Sequence, residues 1–311
     1  MKNTALKPHL LILVATTLVA GSFIASENLA GVINPFSLTL IRFIGAALIL
    51  LPLILYKKKF RVKVFSTMPR AMIIGFFYSA FFIGLFESLD TTTALNTGTL
   101  YTLVPLGTAL LSFIILKEKI NNKVIMAYMV GVAGTVWVVF QGNLYALLSF
   151  SLNTGDYIFL LAALSMCCYS VSMKYLYRDD EMVVLVFCTL LAGSLWISIA
   201  LYLFNQPLQW ERISGNDFLN IGYLIIGATL STMYLYQKTT ILLGPSRVNA
   251  YIYLNPVLIS IISFIIYGEP PKSIIILGVL LSVSSTIILQ ALYSVKKPNK
   301  LRKRVLAKLS S

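Results

Sequence analysis

The amino-acid sequence predicts an all-α, polytopic membrane protein of ten transmembrane helices built as two inverted five-helix repeats, and three observations predict it. Apolar residues make up 58% of the chain and charged residues 12%, with a mean hydropathy of +0.84, which leaves too little polar surface to solvate a globule. Ten segments approach the roughly 20 apolar residues that cross a hydrocarbon layer of about 30 Å. The phrase PLGTALLSFIILKE, Pro105 to Glu118, returns as PVLISIISFIIYGE, Pro256 to Glu269, with six of fourteen positions identical at an offset of 151 residues. The apolar runs are continuous and do not alternate, which favours helices over a barrel, since backbone groups in lipid must find partners within a segment or a closed sheet.

The first segment, 10 to 30, follows Lys2 and Lys7, is long, contains Glu27 and lacks a small-residue cleavage site, so it reads as a retained helix and not a signal peptide. His9, the single histidine, is placed ahead of it, which leaves no histidine for a metal or proton site within the membrane. The second segment, 35 to 56, starts at Asn34-Pro35 and carries Arg42 about 10 Å from its outer end. The third, 70 to 89, holds Glu87, and the fourth, 92 to 116, holds the first copy of the repeated phrase. Segments at 123 to 140, 156 to 176, 182 to 204 and 218 to 240 precede the ninth, 246 to 267, which holds the second copy, and a tenth at 272 to 293. Residues 1–145 form the first repeat, 146–295 the second, and 296–311 a basic tail. Cys167, Cys168 and Cys188 fall inside predicted helices, as packing residues and not as a disulfide framework.

Charge fixes the expected orientation. Counting alternate connections places 22 of the 25 basic residues on one side, with Arg212 and Lys272 on the other and Arg42 inside the second helix. By the positive-inside rule both termini are cytoplasmic and the protein lies in the cell membrane. The net charge of +14 therefore points to lipid head groups or to solvent around the tail, and no nucleic-acid partner is expected.

Five helices per repeat is an odd number, so the second copy enters the membrane from the opposite side. Glu118 then ends helix four at the cytoplasmic face and Glu269 ends helix nine at the outer face, where they cap or snorkel. Pro105 and Pro256 each remove a backbone donor within the membrane. They are either ordinary kinks or, because they occupy matching positions of inverted halves, markers of a substrate pathway at the repeat interface.

The duplicated Pro-to-Glu phrases, the small-residue stretches at Gly131 to Gly134 and Gly278, and Gly21-Ser22 followed by Asn34-Pro35 and Arg42 resemble the drug/metabolite transporter superfamily in its ten-helix EamA-type branch. The resemblance covers essentially the whole chain. The tryptophan common before the first Gly-Ser is replaced by Val19-Ala20, and the second half reads Cys168-Tyr169-Ser170 there, which weakens transfer of substrate identity. The resemblance implies secondary transport, generally export, of small metabolites or amino acids through a central cavity by alternating access, with no cofactor.

In helix nine Ser246, Asn249, Tyr253, Pro256, Ser260 and Ser263 step by three and four and share one face. Helix packing accounts for the serines; Asn249 and Tyr253 are bulkier and point to a cavity wall. Helix four offers Gly98, Thr102 and Pro105 beside Thr97, Tyr101 and Thr108; helix six offers Ser165, Tyr169 and Ser172; helix eight offers Tyr234 and Gln237. With Ser22 in helix one, the substrate-binding candidates are Ser22, Thr97, Tyr101, Pro105, Tyr169, Tyr234, Gln237, Asn249, Tyr253 and Pro256, a set suited to an amphipathic or aromatic solute. Glu27 and Glu87 are the expected partners of Arg42, either as a permanent ion pair or as a gate and coupling site that binds a charged substrate group and carries a proton.

The expected partners are thus a small solute, protons and membrane lipids, around a monomer or weak homodimer; import or exchange of a nucleoside-like or cationic compound stays open. Asp179-Asp180-Glu181 is the candidate for a rival membrane enzyme holding Mg2+ for diphosphate chemistry, against a solvated loop. No GxxxxGK[ST] loop or channel-filter motif occurs.

Overall fold

The computed structural model describes residues 2–268 and 273–294. Ten of its helices are long and apolar enough to cross a membrane, and no strand occurs among the described residues. The protein is a multi-pass membrane protein. The spans, called helices one to ten, are Leu6–Glu27, Pro35–Tyr56, Lys58–Leu89, Asn96–Ile115, Asn122–Val139, Thr154–Tyr175, Met182–Leu203, Asp217–Leu243, Pro245–Tyr267 and Ser273–Tyr293.

Two boundaries differ from the sequence expectation, and both for the same reason: a helix can continue past the apolar run that reveals it. Helix three begins at Lys58 and has 32 residues. That is about 48 Å at the helical rise, so its basic first turns project beyond a 30 Å layer. Helix one begins at Lys2, so His9 lies inside it and not ahead of it. There His9 Nδ1 is 2.9 Å from the Tyr251 hydroxyl and Nε2 is 3.2 Å from a terminal nitrogen of Arg247.

Short polar residues set several starts. Asn34 caps helix two, accepting from the N–H groups of Phe36 and Ser37 while Pro35 fills the first turn, where no donor is required. Asn153 and Asp156 form a reciprocal capping box on helix six, and Asn121 caps helix five.

Contacts among loops and helix ends are those expected of helices that alternate in direction. At one end, Arg70 grips Asp180 through two nitrogens at 2.7 and 2.8 Å, and Glu118 meets Ser246, joining the first half of helix three to the 6–7 loop and the 4–5 loop to the start of helix nine. At the other end, Asn34 donates to Gln206 at 2.7 Å, and Asn96 donates to Asp156 at 3.0 Å. The first is called the basic end below. Helix four therefore enters from the opposite end and helix nine from the basic end.

Packing relies on small residues, as expected where lipid removes the hydrophobic drive between helices. Helices five and ten cross so closely that a Cβ on Gly278 would come within 2.6 Å of the Gly134 carbonyl. Cys167 and Cys188 are buried and unpaired, and Cys168 is half-buried and unpaired.

Candidate functional site between the two broken helices

Helices four and nine are each interrupted at the repeated proline. Helix four runs Ala94–Tyr101, tightens into a turn in which Thr102 and Leu103 bond three residues back, and resumes at Val104–Ile115 with Pro105 in its first turn. Helix nine runs Pro245–Asn249, passes through a 3-10 segment Ala250–Leu254, and resumes at Asn255–Tyr267 with Pro256 in its first turn. The cause is local: proline has no N–H to continue the ladder and crowds the carbonyl four residues back. Glu269 lies outside the described residues, as do Lys272 and the tail 296–311.

Toward the basic end the two helices are tied. Asn249 Nδ2 donates to Thr108 Oγ1 at 2.7 Å and to Ser170 Oγ at 3.0 Å, joining helices nine, four and six in one buried cluster. Ser246 Oγ donates to Glu118 Oε2 at 2.6 Å, and the Tyr128 hydroxyl donates to the Ser246 carbonyl at 2.9 Å. Lys174 donates to the Ile241 carbonyl, and Arg247 Nε donates to Gln290 Oε1 at 3.2 Å. Glu118 is therefore a cross-link between the 4–5 loop and helix nine, not a capping or snorkelling end group.

Toward the opposite end the pair is parted by a cavity of about 510 Å3. Gly98, Tyr101 and Thr102 face it from helix four, and Tyr253, Asn255, Pro256 and Ile259 from helix nine. Thr135 and Val138 of helix five and Phe23 of helix one complete the wall, which carries no charged side chain. Three hydroxyls there bond to their own helix: Thr102 to the Thr99 carbonyl, Thr135 to Gly131 and Ser260 to Pro256.

Of the ten candidates read from the sequence, the structure brings Tyr101, Tyr253 and Pro256 to this cavity. Tyr253 has its hydroxyl engaged by the Tyr128 carbonyl at 3.1 Å. Asn249 is not on the wall, because its amide is consumed in the tie described above. Pro105 and Thr97 are buried and not on the wall, and Ser22 bonds its own Val19 carbonyl. Tyr169 stands deeper, its ring 4.6 Å from that of Tyr78, while Gln237 bonds Thr189 and Tyr234 carries Lys238 over its ring.

Sequence reasoning missed Asn255. It is 5% exposed, lies on the cavity wall and has no hydrogen-bond partner for its side chain among the described residues. Its counterpart one repeat earlier is Val104, so comparing the two copies position by position, and not only at their identities, would have flagged it.

The expected ion pair of Arg42 is also absent. Arg42 is buried, but no ion pair or hydrogen bond joins it to Glu27 or Glu87. Its Nε donates to Thr229 Oγ1 at 3.0 Å, and its guanidinium carbon stands 5.9 Å from the centre of the Phe82 ring. Glu27 and Glu87 lie in the last turn of their helices. The acidic loop is engaged by cations: Asp180 by Arg70, and Glu181 by Lys59 at 2.7 Å. There burial, then the neighbouring Asp179, Asp180 and Glu181, push the Tyr177 hydroxyl up to about 12.

Ten spanning helices, a matched pair of breaks and a cavity between the broken helices give the layout of a membrane transporter. The chain belongs to the EamA-like transporter family, whose sequence profile matches residues 6–140 and residues 153–290. It is similar to the uncharacterized transporter YyaM of Bacillus subtilis (strain 168), with 22% identity over 94% of this chain and 96% of that protein. A second relative, the uncharacterized transporter YdfC of the same organism, is 25% identical over 80% of each chain. One solved crystal structure has the same fold, with a TM-score of 0.75 at 20% identity, covering 93% of this chain and 98% of the other.

Proposed function

We propose that the protein is a secondary transporter that exports a small amphipathic or aromatic metabolite, with amino acids the first class to test, across the cytoplasmic membrane by alternating access. The observation that carries this reading is the broken-helix pair, tied at one end and parted by the 510 Å3 cavity at the other. Such an arrangement is one half of an alternating-access cycle, in which two inverted halves rock about a site at mid-membrane. Support for the inversion comes from the two proline breaks, which fall 151 residues apart in helices that run in opposite directions. Support for the orientation, with both termini cytoplasmic, comes from the alternation of loop charge in the sequence, which assigns 22 of 25 basic residues to one side. Proton coupling falls to Glu27 or Glu87, carboxylates in the last turn of spanning helices that have no cationic partner among the described residues.

Counterflow in proteoliposomes with an amino-acid panel tests the reading. Flux should saturate and show counterflow. Ser260→Trp, which fills the cavity, should reduce it at least tenfold while the melting temperature stays within a few degrees. Flux that rises linearly with concentration would mean a channel, and flux indifferent to the filled cavity would remove this site from the pathway.

A further inference from the structure

Arg42 carries a question that transport alone does not answer. It is 9% exposed and is held by one hydrogen bond, through Nε to Thr229. Its two terminal nitrogens have no hydrogen-bond partner among the described residues, and neither is fully sealed. A buried cation without a carboxylate is expensive, and a membrane chain retains one where something else supplies the anion.

The surroundings of the guanidinium are aromatic. Its carbon stands 5.9 Å from the centre of the Phe82 ring, Phe82 meets Phe81 at 5.3 Å, and Phe81 meets Tyr101, on the cavity wall, at 5.7 Å. Tyr78 meets Phe82 at 5.2 Å, stacks on Phe43 at 5.5 Å and meets Tyr169 at 4.6 Å. A chain of rings therefore connects Arg42 to the cavity wall. Thr229, which fixes the guanidinium, belongs to a π-helical turn, Ile226–Ser231, in helix eight. Such wide turns re-aim side chains and concentrate at functional sites.

We propose that Arg42 is an anion site that holds the single carboxylate of the transported solute while its apolar or aromatic body lies toward Tyr101 and the cavity. With Nε committed to Thr229, the edge formed by the two terminal nitrogens faces the ligand, and a planar carboxylate accepts from both. The cavity wall adds no second cation, which disfavours a phosphate dianion. The inference rests on the reading of the cavity as the solute path.

Three isosteric probes test it by thermal stabilisation of the purified protein: 3-phenylpropionate, 3-phenylpropanamide and 3-phenylpropylamine. The carboxylate should stabilise the wild type at concentrations at least ten times lower than the amide. Arg42→Gln should abolish that preference while leaving amide binding intact. Thr229→Val, which frees the guanidinium, should weaken the preference severalfold. If the Gln variant does not fold, Arg42→Lys carries the test, since it keeps the charge and loses the planar edge; about a tenfold loss of preference is expected. Equal binding of carboxylate and amide, a preference undiminished in these variants, or no stabilisation by any of the three overturns the proposal. Proteoliposome flux separates it from the transporter reading. Saturable flux of carboxylate and amide alike removes only the anion site, and carboxylate-selective binding without flux removes only the transporter.

Discussion

The two ends of the helix four and nine pair are made from the same repeated phrase, yet one is locked and the other open. At the basic end the polar side chains reach across helices: Asn249 to Thr108 and Ser170, and Ser246 to Glu118. At the opposite end Thr102 and Ser260 turn back on their own backbones and a cavity separates the helices. On the proposed inversion of the two repeats, the offset of 151 residues accounts for the difference. The partners of the Asn249–Thr108 tie are Gly98 and Ile259 in the mirrored copy, and both face the cavity. Neither has a hydrogen-bonding side chain, so the opposite end has no means of making the same lock. The shared residues of the phrase set where each helix breaks, and the residues that differ set which end is held shut.

The largest expected effect is on the lock itself. Asn249→Leu leaves the Thr108 and Ser170 hydroxyls buried without their shared partner, a penalty of about 2 to 3 kcal/mol against the closed basic end. That corresponds to a shift in population of roughly 30- to 140-fold. Ser112, fully buried in the same half of helix four, gives the reporter. In a cysteine-less background, Ser112→Cys should react with a charged thiol reagent at least ten times faster when Asn249→Leu is added. An unchanged rate would mean that the Asn249 cluster is static packing.

Glu118→Gln should act in the same direction and more weakly. The carboxylate accepts from the Ser246 hydroxyl at 2.6 Å, a charge-assisted bond roughly twice as strong as a neutral one. An amide oxygen can still accept, so the loss is about 1 kcal/mol and the same reporter should speed up roughly fivefold. A larger effect than that of Asn249→Leu would reverse the ranking of the two ties and place the gate at the 4–5 loop.

How much of this was legible in the sequence follows from what each residue depends on. The proline breaks depend on the local chain alone, because a missing N–H disrupts the ladder wherever it lies, and both are where the sequence put them. The ten spans depend on length and hydropathy and were equally legible. The polar face of helix nine was visible as a face, but its destination was not. Whether Asn249 meets a cavity or another helix depends on the rotation of helices four and six, and no periodicity within helix nine encodes that. The same limit misdirected Arg42: Glu27 and Glu87 sit at plausible depths, yet depth does not bring side chains together, and its observed partner Thr229 lies in a π-helical turn with no sequence signature.

The smallest expected effect is the most specific to the comparison. If the closed basic end depends on Asn249 with Thr108, building the mirrored pair should give the opposite end a lock of its own. Gly98→Asn with Ile259→Thr places an amide and a hydroxyl at the two mirrored positions on the cavity wall. Room exists for the first change, since a Cβ on Gly98 would meet only Val139, at 3.9 Å. One new hydrogen bond contributes about 0.5 to 1 kcal/mol net, because each group gives up water to form it. The shift toward a closed opposite end is then roughly two- to fivefold. Ser263→Cys on the cavity wall should be labelled more slowly by that factor. The single substitutions should have no such effect, because each supplies half of the pair. Slowing by Gly98→Asn alone would point to simple filling of the cavity. Full slowing only in the double variant would show that the two ends differ by which residues occupy mirrored positions, and not by any difference in the backbone of the two breaks.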